Sequence, residues 1–217
     1  MPAASTLAIY QLKVVLLGIS PMIWRRIRVR SDSTIADLHY TIQIAMGWAD
    51  EHLHQFIIHG VRYGISYMGS AGFGDNAQEV KLAQFSFRER EKFIYEYDFC
   101  DYWKHQIRVE AIFPDDNPST YPICTTGKGA CPPENCGGTA GFITLRQKYN
   151  RVDIALRLAE IFLMGEIEEI AQHKAELAQL HYWLKIHEID RPKINHQLQQ
   201  YATGDEAWRD SLSQIRL

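Results

Sequence analysis

The sequence predicts an α+β fold, an antiparallel β-sheet with a covering helix and additional C-terminal helices, and three observations carry that prediction. Several segments alternate apolar and polar residues with period two and are separated by short turn-forming stretches, as local hairpins require. One segment behind a cluster of capping residues switches to helical spacing. Beyond Phe142 the spacing is helical almost throughout. With 217 residues, of which 46% are hydrophobic and 23% charged, the chain can bury a full core without disulfide support.

Leu7 to Leu17 is rich in β-branched and aliphatic residues and reads as a strand, ended by a turn at Gly18-Ile19-Ser20-Pro21. Met22 to Arg30 returns as its hairpin partner. Alternation places Ile23, Ile27 and Val29 on one face of it and Trp24, Arg26, Arg28 and Arg30 on the other, with Arg25 adding to the positive charge nearby. Ser31 to Thr34 then offers capping side chains, and Ile35, Leu38, Ile42, Ala45 and Met46 recur at helical spacing, predicting a helix over Thr34 to Met46 that Gly47 ends. Strand character resumes from His52 to His59, and the glycines of Gly64 to Asp75 mark a surface loop.

Phe93 to Phe99 and Trp103 to Phe113 alternate cleanly and predict a second hairpin, turned at Cys100 to Tyr102. These segments give a sheet of about five strands. Pro114 to Gly141 has no hydrophobic period and reads as a long functional loop. Residues 1–142 thus form the α+β core and 143–217 a helical extension packed on it. In the extension Val152, Leu156, Ala159 and Leu163 make an apolar stripe continued by Ile167, Ile170, Ala171, Leu177, Ala178 and Leu184, with Gly165 as a break between two helices. Asp190-Arg191-Pro192 starts a further helix with Ile194 and Leu198 inward, and a last segment follows Thr203-Gly204-Asp205.

A net charge of -3 argues against a surface that grips nucleic acid over its whole extent, though a local basic patch remains compatible with it. Four cysteines without a charged-then-apolar leader predict reduced thiols and a cytoplasmic protein. The most apolar run, Ile154 to Met164, is too short and too charged to cross a bilayer.

Three blocks of residues go together. The first comprises Pro21-Met22-Ile23-Trp24-Arg25-Arg26, Ala36-Asp37-Leu38-His39, Ile42-Gln43, Met46-Gly47-Trp48 and His52-Leu53-His54-Gln55-Phe56. The second is Tyr97-Asp98-Phe99-Cys100-Asp101-Tyr102-Trp103-Lys104-His105, and the third Ala130-Cys131-Pro132-Pro133-Glu134-Asn135-Cys136-Gly137-Gly138. Over Leu7 to Phe142 this set resembles the plasmid pRiA4b ORF-3-like family. The resemblance implies the same fold and a setting on plasmids, transposable elements or chromosomes, but no biochemical activity. Cys100 stands where the family usually has glycine, which removes it as a shared functional residue. The helical pair over Arg151 to Leu180 reads as an elaboration of this member.

All four cysteines and many acids and aromatics fall between Tyr95 and Gly138, so the chemistry is sought there. The binding-site candidates are Asp98, Asp101, Trp103, His105 and Glu134. Cys124, Cys131 and Cys136 with His105 could converge on zinc, but their C-x6-C-x4-C spacing lacks the C-x2-C pair of a strong zinc motif, and small buried cysteines are the commoner outcome. His105 shares an apolar strand face, where a histidine is more often a core residue than a base, and Asp101 could fix its tautomer. His52 and His54, on one strand face, could chelate a metal and, with His39 and His59, form a second cluster. A merely polar strand start is the plainer reading of them. Trp24, Arg26, Arg28 and Arg30 could track a phosphate backbone, although a solvated basic strand face is the everyday finding.

No nucleophile elbow, phosphate-binding loop or dinucleotide glycine pattern occurs. The sequence therefore favours a non-enzymatic binding or accessory protein whose site is the Asp98 to His105 turn with the cysteine loop. The alternative is a metal-dependent hydrolase or nuclease-like enzyme using the same residues. A protein partner, or a second copy, could dock through the C-terminal helices.

Overall fold

Seven strands form one sheet, most of them through alternation of apolar residues, in a computed structural model that describes residues 7–64, 77–115, 121–164 and 167–210. The strands are β1 (Ala8–Leu16), β2 (Ile23–Arg30), β3 (His54–Ile58), β4 (Val61–Tyr63), β5 (Lys92–Tyr97), β6 (Trp103–Pro114) and β7 (Ile123–Lys128). Their spatial order is β4-β3-β5-β6-β1-β2-β7, and every neighbouring pair is antiparallel. Two of these strands, β4 and β7, lie outside the segments the sequence marks as strands. β7 lies inside the stretch expected to be a loop, because Ile123-Cys124-Thr125-Thr126-Gly127-Lys128 has no alternation to betray it. The glycine-rich segment Gly64 to Asp75 and the break at Gly165 fall almost wholly outside the described residues.

Helix α1 (Ile35–Met46) starts where expected. Thr34 Oγ1 accepts from the Asp37 amide at 3.0 Å while Asp37 accepts from the Thr34 amide at 2.8 Å, a reciprocal cap worth about 1 kcal/mol. Gly47, at φ 90°, ends the helix in the left-handed conformation that glycine adopts without strain. Nearly every residue from Ile35 to Met46 is buried, since the helix lies between the sheet and the C-terminal helices.

Those helices are α2 (Gly138–Lys148), α3 (Arg151–Met164), α4 (Ile167–Gln172), α5 (Lys174–Leu184), α6 (Arg191–Thr203) and α7 (Ala207–Asp210). α6 carries Ile194 and Leu198 into the core as expected, and Tyr201 donates from its hydroxyl to Asp37 at 2.6 Å. Asn195 of α6 also bonds both the amide and the carbonyl of Cys124, at 2.8 and 3.0 Å, so the outer edge of β7 is covered at that point. One hydrophobic cluster runs from the strands through Phe142, Ile154, Leu180, Trp183 and Trp208.

α3 departs from expectation. Val152, Leu156 and Leu163 are exposed, the last to 84%, and Ile154 and Ile161 turn inward instead. Both sets recur at helical spacing, so periodicity alone cannot choose the buried face. No helix among the described residues is long and apolar enough to cross a membrane.

Candidate functional site

The three sequence blocks meet at one end of the sheet. Tyr95 and Tyr97, two residues apart on β5, point to the same buried face, and the segment after α1 passes over them. Trp48 stacks on Tyr97 with ring centroids 5.0 Å apart and donates from Nε1 to the Pro132 carbonyl at 2.9 Å. The Cys131 to Gly138 loop is thereby pinned over α1. From the other side, the Tyr182 hydroxyl of α5 donates to the Cys131 carbonyl at 2.7 Å.

Glu134 is the joint of this assembly. Its carboxylate accepts from the Tyr97 hydroxyl and, at 3.0 Å, from the Ala49 amide, while the Glu51 amide donates to the same hydroxyl at 3.1 Å. Burial and the neighbouring carboxylate both raise the Tyr97 pKa, so it stays a donor. Asp98 holds the β5–β6 turn from within. At φ 56° it accepts from the amides of Cys100 and Asp101 at 2.9 and 3.3 Å. Asp101 accepts from the Gly137 amide at 3.2 Å rather than from His105. Gly138 is required here: its φ is +64° and a Cβ on it would collide with the Asp101 carbonyl oxygen.

His105 is fully buried between Trp48 and Tyr95, its ring close to the strand backbone at Tyr95 and Trp103, and Nε1 of Trp103 has no hydrogen-bond partner. Burial pushes the His105 pKa down to about 3, so the ring is a neutral core group. The structure does not assemble Cys124, Cys131, Cys136 and His105 into a ligand group. Burial raises the pKa of all three thiols, that of Cys136 to about 12, and the buried Arg25 guanidinium stands within electrostatic reach of Cys124 and Cys131. Protonated thiols beside a cation suit packing better than metal binding. All four cysteines are free.

Arg25 is not part of the basic face. It shares the inner face of β2 with Ile23 and Ile27 and donates to the carbonyls of Ala45, Trp24 and Lys128. On the outer face Arg26 pairs with Glu110, Arg30 with Asp32 at 2.9 Å, and Arg28 with the Gln11 side chain at 3.0 Å over the Phe113 ring. Lys13 lies 4.7 Å from the Trp24 ring centroid. Partners within the protein thus already engage this row.

The histidines of the N-terminal half divide. His59 pairs with Glu91, and His52 lies 3.6 Å from Asp98. His39 and His54 stack face to face, with centroids 3.5 Å apart and planes 8° apart. His39 sits in a ring of hydrogen bonds: to the Asp50 carboxylate at 2.7 Å, to the Tyr95 hydroxyl at 2.9 Å, from there to Gln43 at 2.8 Å, and back to the Asp50 amide at 3.2 Å. Asp50, Gln43, Trp48 and Tyr182 join the site beyond the candidates that the sequence offers, although the first block contains Gln43 and Trp48. Asp50 falls between two segments of the first block and carries no signal.

Two concavities formed by the described residues lie elsewhere. One, of about 10 Å³ between Met22, Phe142 and His187, has room for little more than a water molecule. The other is an open groove of about 620 Å³ along His59, Phe85, Arg88 and Glu91.

Fold and site together define an α+β protein whose sequence blocks interlock through buried aromatic and carboxylate groups. The chain belongs to the family described as "Plasmid pRiA4b ORF-3-like protein", which matches residues 8–153. The uncharacterized protein y4hQ of Sinorhizobium fredii (strain NBRC 101917 / NGR234) is 32% identical over 139 residues, covering 62% of this chain and 70% of that protein. A crystal structure of the protein of unknown function MM3350 from Methanosarcina mazei Go1 is also similar, with a TM-score of 0.62 at 31% identity, covering 87% of this chain and 97% of that one.

Proposed function

We propose that the protein is a non-enzymatic binding module and that the interlocked blocks are the frame of its recognition surface. One observation carries this reading: the polar groups of Asp98, Asp101 and Glu134 are engaged with backbone and tyrosine partners, whereas apolar groups at the same end of the sheet stand exposed. Phe99 is 45% and Tyr102 52% exposed, and Leu53, 39% exposed, is tied to their turn by a bond from the Asp98 amide to its carbonyl. Exposed apolar groups on a rigid turn are a recognition element in want of a partner.

The surroundings favour a protein partner over nucleic acid. Glu51 lies two residues before Leu53 and Asp101 adjoins Tyr102 in the chain, which gives the patch an acidic edge, and its neighbour Lys104 is paired with Glu96 at 3.1 Å. Such a rim repels a phosphate backbone and suits a segment with an apolar side chain flanked by lysine or arginine. The exposed Val152, Leu156 and Leu163 face of α3 supports a further contact through the C-terminal helices. The family's plasmid description supports a mobile-element setting.

The reading is tested on the whole chain. Peptides with one apolar residue between basic residues should bind, and acidic counterparts should not, with binding lost in a Phe99→Ser/Tyr102→Ser variant. No hydrolysis of DNA, RNA or a phosphoester should occur with magnesium, manganese or zinc. Robust turnover abolished by His105→Ala would instead establish the enzymatic alternative.

A further inference from the structure

The stacked pair His39 and His54 combines an unpartnered buried nitrogen with a cluster of further donors. His54 is only 2% exposed, yet its Nε2 has no hydrogen-bond partner. A buried imidazole nitrogen without a partner carries a desolvation penalty that packing does not offset. A ring nitrogen of His54, one of His39 and an Asp50 carboxylate oxygen all lie within 4.8 Å of one another. Among the described residues this is the one group of three or more histidine, cysteine, aspartate or glutamate side chains gathered so closely.

We propose that His39, Asp50 and His54 form a binding site for a divalent transition-metal ion. Two imidazoles and one carboxylate are a donor set for zinc, cobalt, nickel or ferrous iron, whereas magnesium and calcium prefer oxygen alone.

The outer partners are in place as well. A carboxylate only accepts, so His39 Nε2–H is the donor to Asp50 and Nδ1 is left to accept from Tyr95. Coordination by Nε2 moves that proton to Nδ1, where the Tyr95 oxygen, already held by Gln43, can accept it. No proton leaves the imidazole. The exchange gives up the His39–Asp50 hydrogen bond and the acceptor of the Tyr95 hydroxyl proton in return for three coordinate bonds. Coordination in the plane of both rings also requires the stack to splay, so the ring signals of both histidines should shift together.

The test uses the full chain, stripped with chelator and titrated with zinc, with cobalt as the spectroscopic probe. One equivalent should bind and raise the unfolding temperature, and magnesium and calcium should do neither. Affinity should fall at least tenfold in Asp50→Asn, which keeps the side-chain shape, and in His54→Phe, which keeps an aromatic ring on His39 but removes the donor. Phe99→Ser, at the recognition surface, should leave binding unchanged, so the two proposals fail separately. If His54→Phe does not fold, Asp50→Asn decides. Absence of stoichiometric zinc or cobalt binding would overturn the site, as would binding undiminished in the folded variants or lost in Cys131→Ser alone.

Discussion

Tyr95 and Tyr97 stand side by side on one face of β5 but enter two different kinds of buried polar cluster. Around Tyr97 the carboxylates are engaged: Glu134 accepts from the hydroxyl and from Ala49, and Asp101 holds the same loop through Gly137. Around Tyr95 the hydrogen-bonded ring of His39, Asp50 and Gln43 is flanked by His54, whose buried Nε2 has no partner. A satisfied network rigidifies a fold, while a buried unpartnered group weakens it unless something else engages it. The first cluster is therefore frame, and the second is where a ligand has something to gain.

The largest effect that separates the two should come from acid. The unfolded chain binds protons at its histidines below about pH 6.5, but His105 stays neutral in the folded protein down to about pH 3. In that window the unfolded state holds more protons, so stability falls as pH falls, by up to about 1.4 kcal/mol per pH unit from His105 alone. His39 and His54 act in the same direction. His105→Leu should flatten the acid limb of a denaturation profile measured between pH 7 and 4; an unchanged slope would place the acid sensitivity elsewhere.

Within the frame, Gly138→Ala should cost about 1–3 kcal/mol or more, because a side chain at positive φ is driven against the Asp101 carbonyl. Denaturant titration measures this directly, and a neutral result would mean the loop is not held where it is described. At the surface, Phe99→Ser and Tyr102→Ser should each shift stability by no more than about 0.5 kcal/mol while removing peptide binding. The smallest effect belongs to the arginine row: breaking the half-exposed Arg26 and Glu110 pair by Arg26→Ala should cost about 0–1 kcal/mol. Salt-dependent DNA binding that weakens further in an Arg26→Ala/Arg28→Ala variant would restore the nucleic-acid reading of that face.

Much of the fold was legible because alternation and capping are local. The faces of β2, β5 and β6, the Thr34 cap and the inward side of α6 all follow from residue spacing. What failed to show was decided by tertiary contact. β7 is a strand because β2 offers it an edge and Asn195 covers the far side, not because of its own pattern. Val152 and Ile154 lie on competing stripes, and only packing against the other helices chooses between them.

The site was legible in part for the same reason. Of the residues that the blocks contain, Glu134 and Asp101 join separate elements. Spacing could not say that Asp101 would turn to Gly137 instead of His105, or that the cysteines would pack as protonated thiols around Arg25. Nor could it bring Asp50 to His39, since that contact depends on how the chain leaves α1.

The most direct test of the frame is a double-mutant cycle between Tyr97→Phe and Glu134→Ala, read as unfolding free energy. Each single change should cost about 1–3 kcal/mol, because it removes one half of a buried hydrogen bond. The pair should then be coupled by at least about 0.5 kcal/mol, the double variant losing less than the sum. Single variants as stable as the parent, with additive effects, would show that the interlocked blocks do not hold the fold and would return Glu134 to the search for a reactive site.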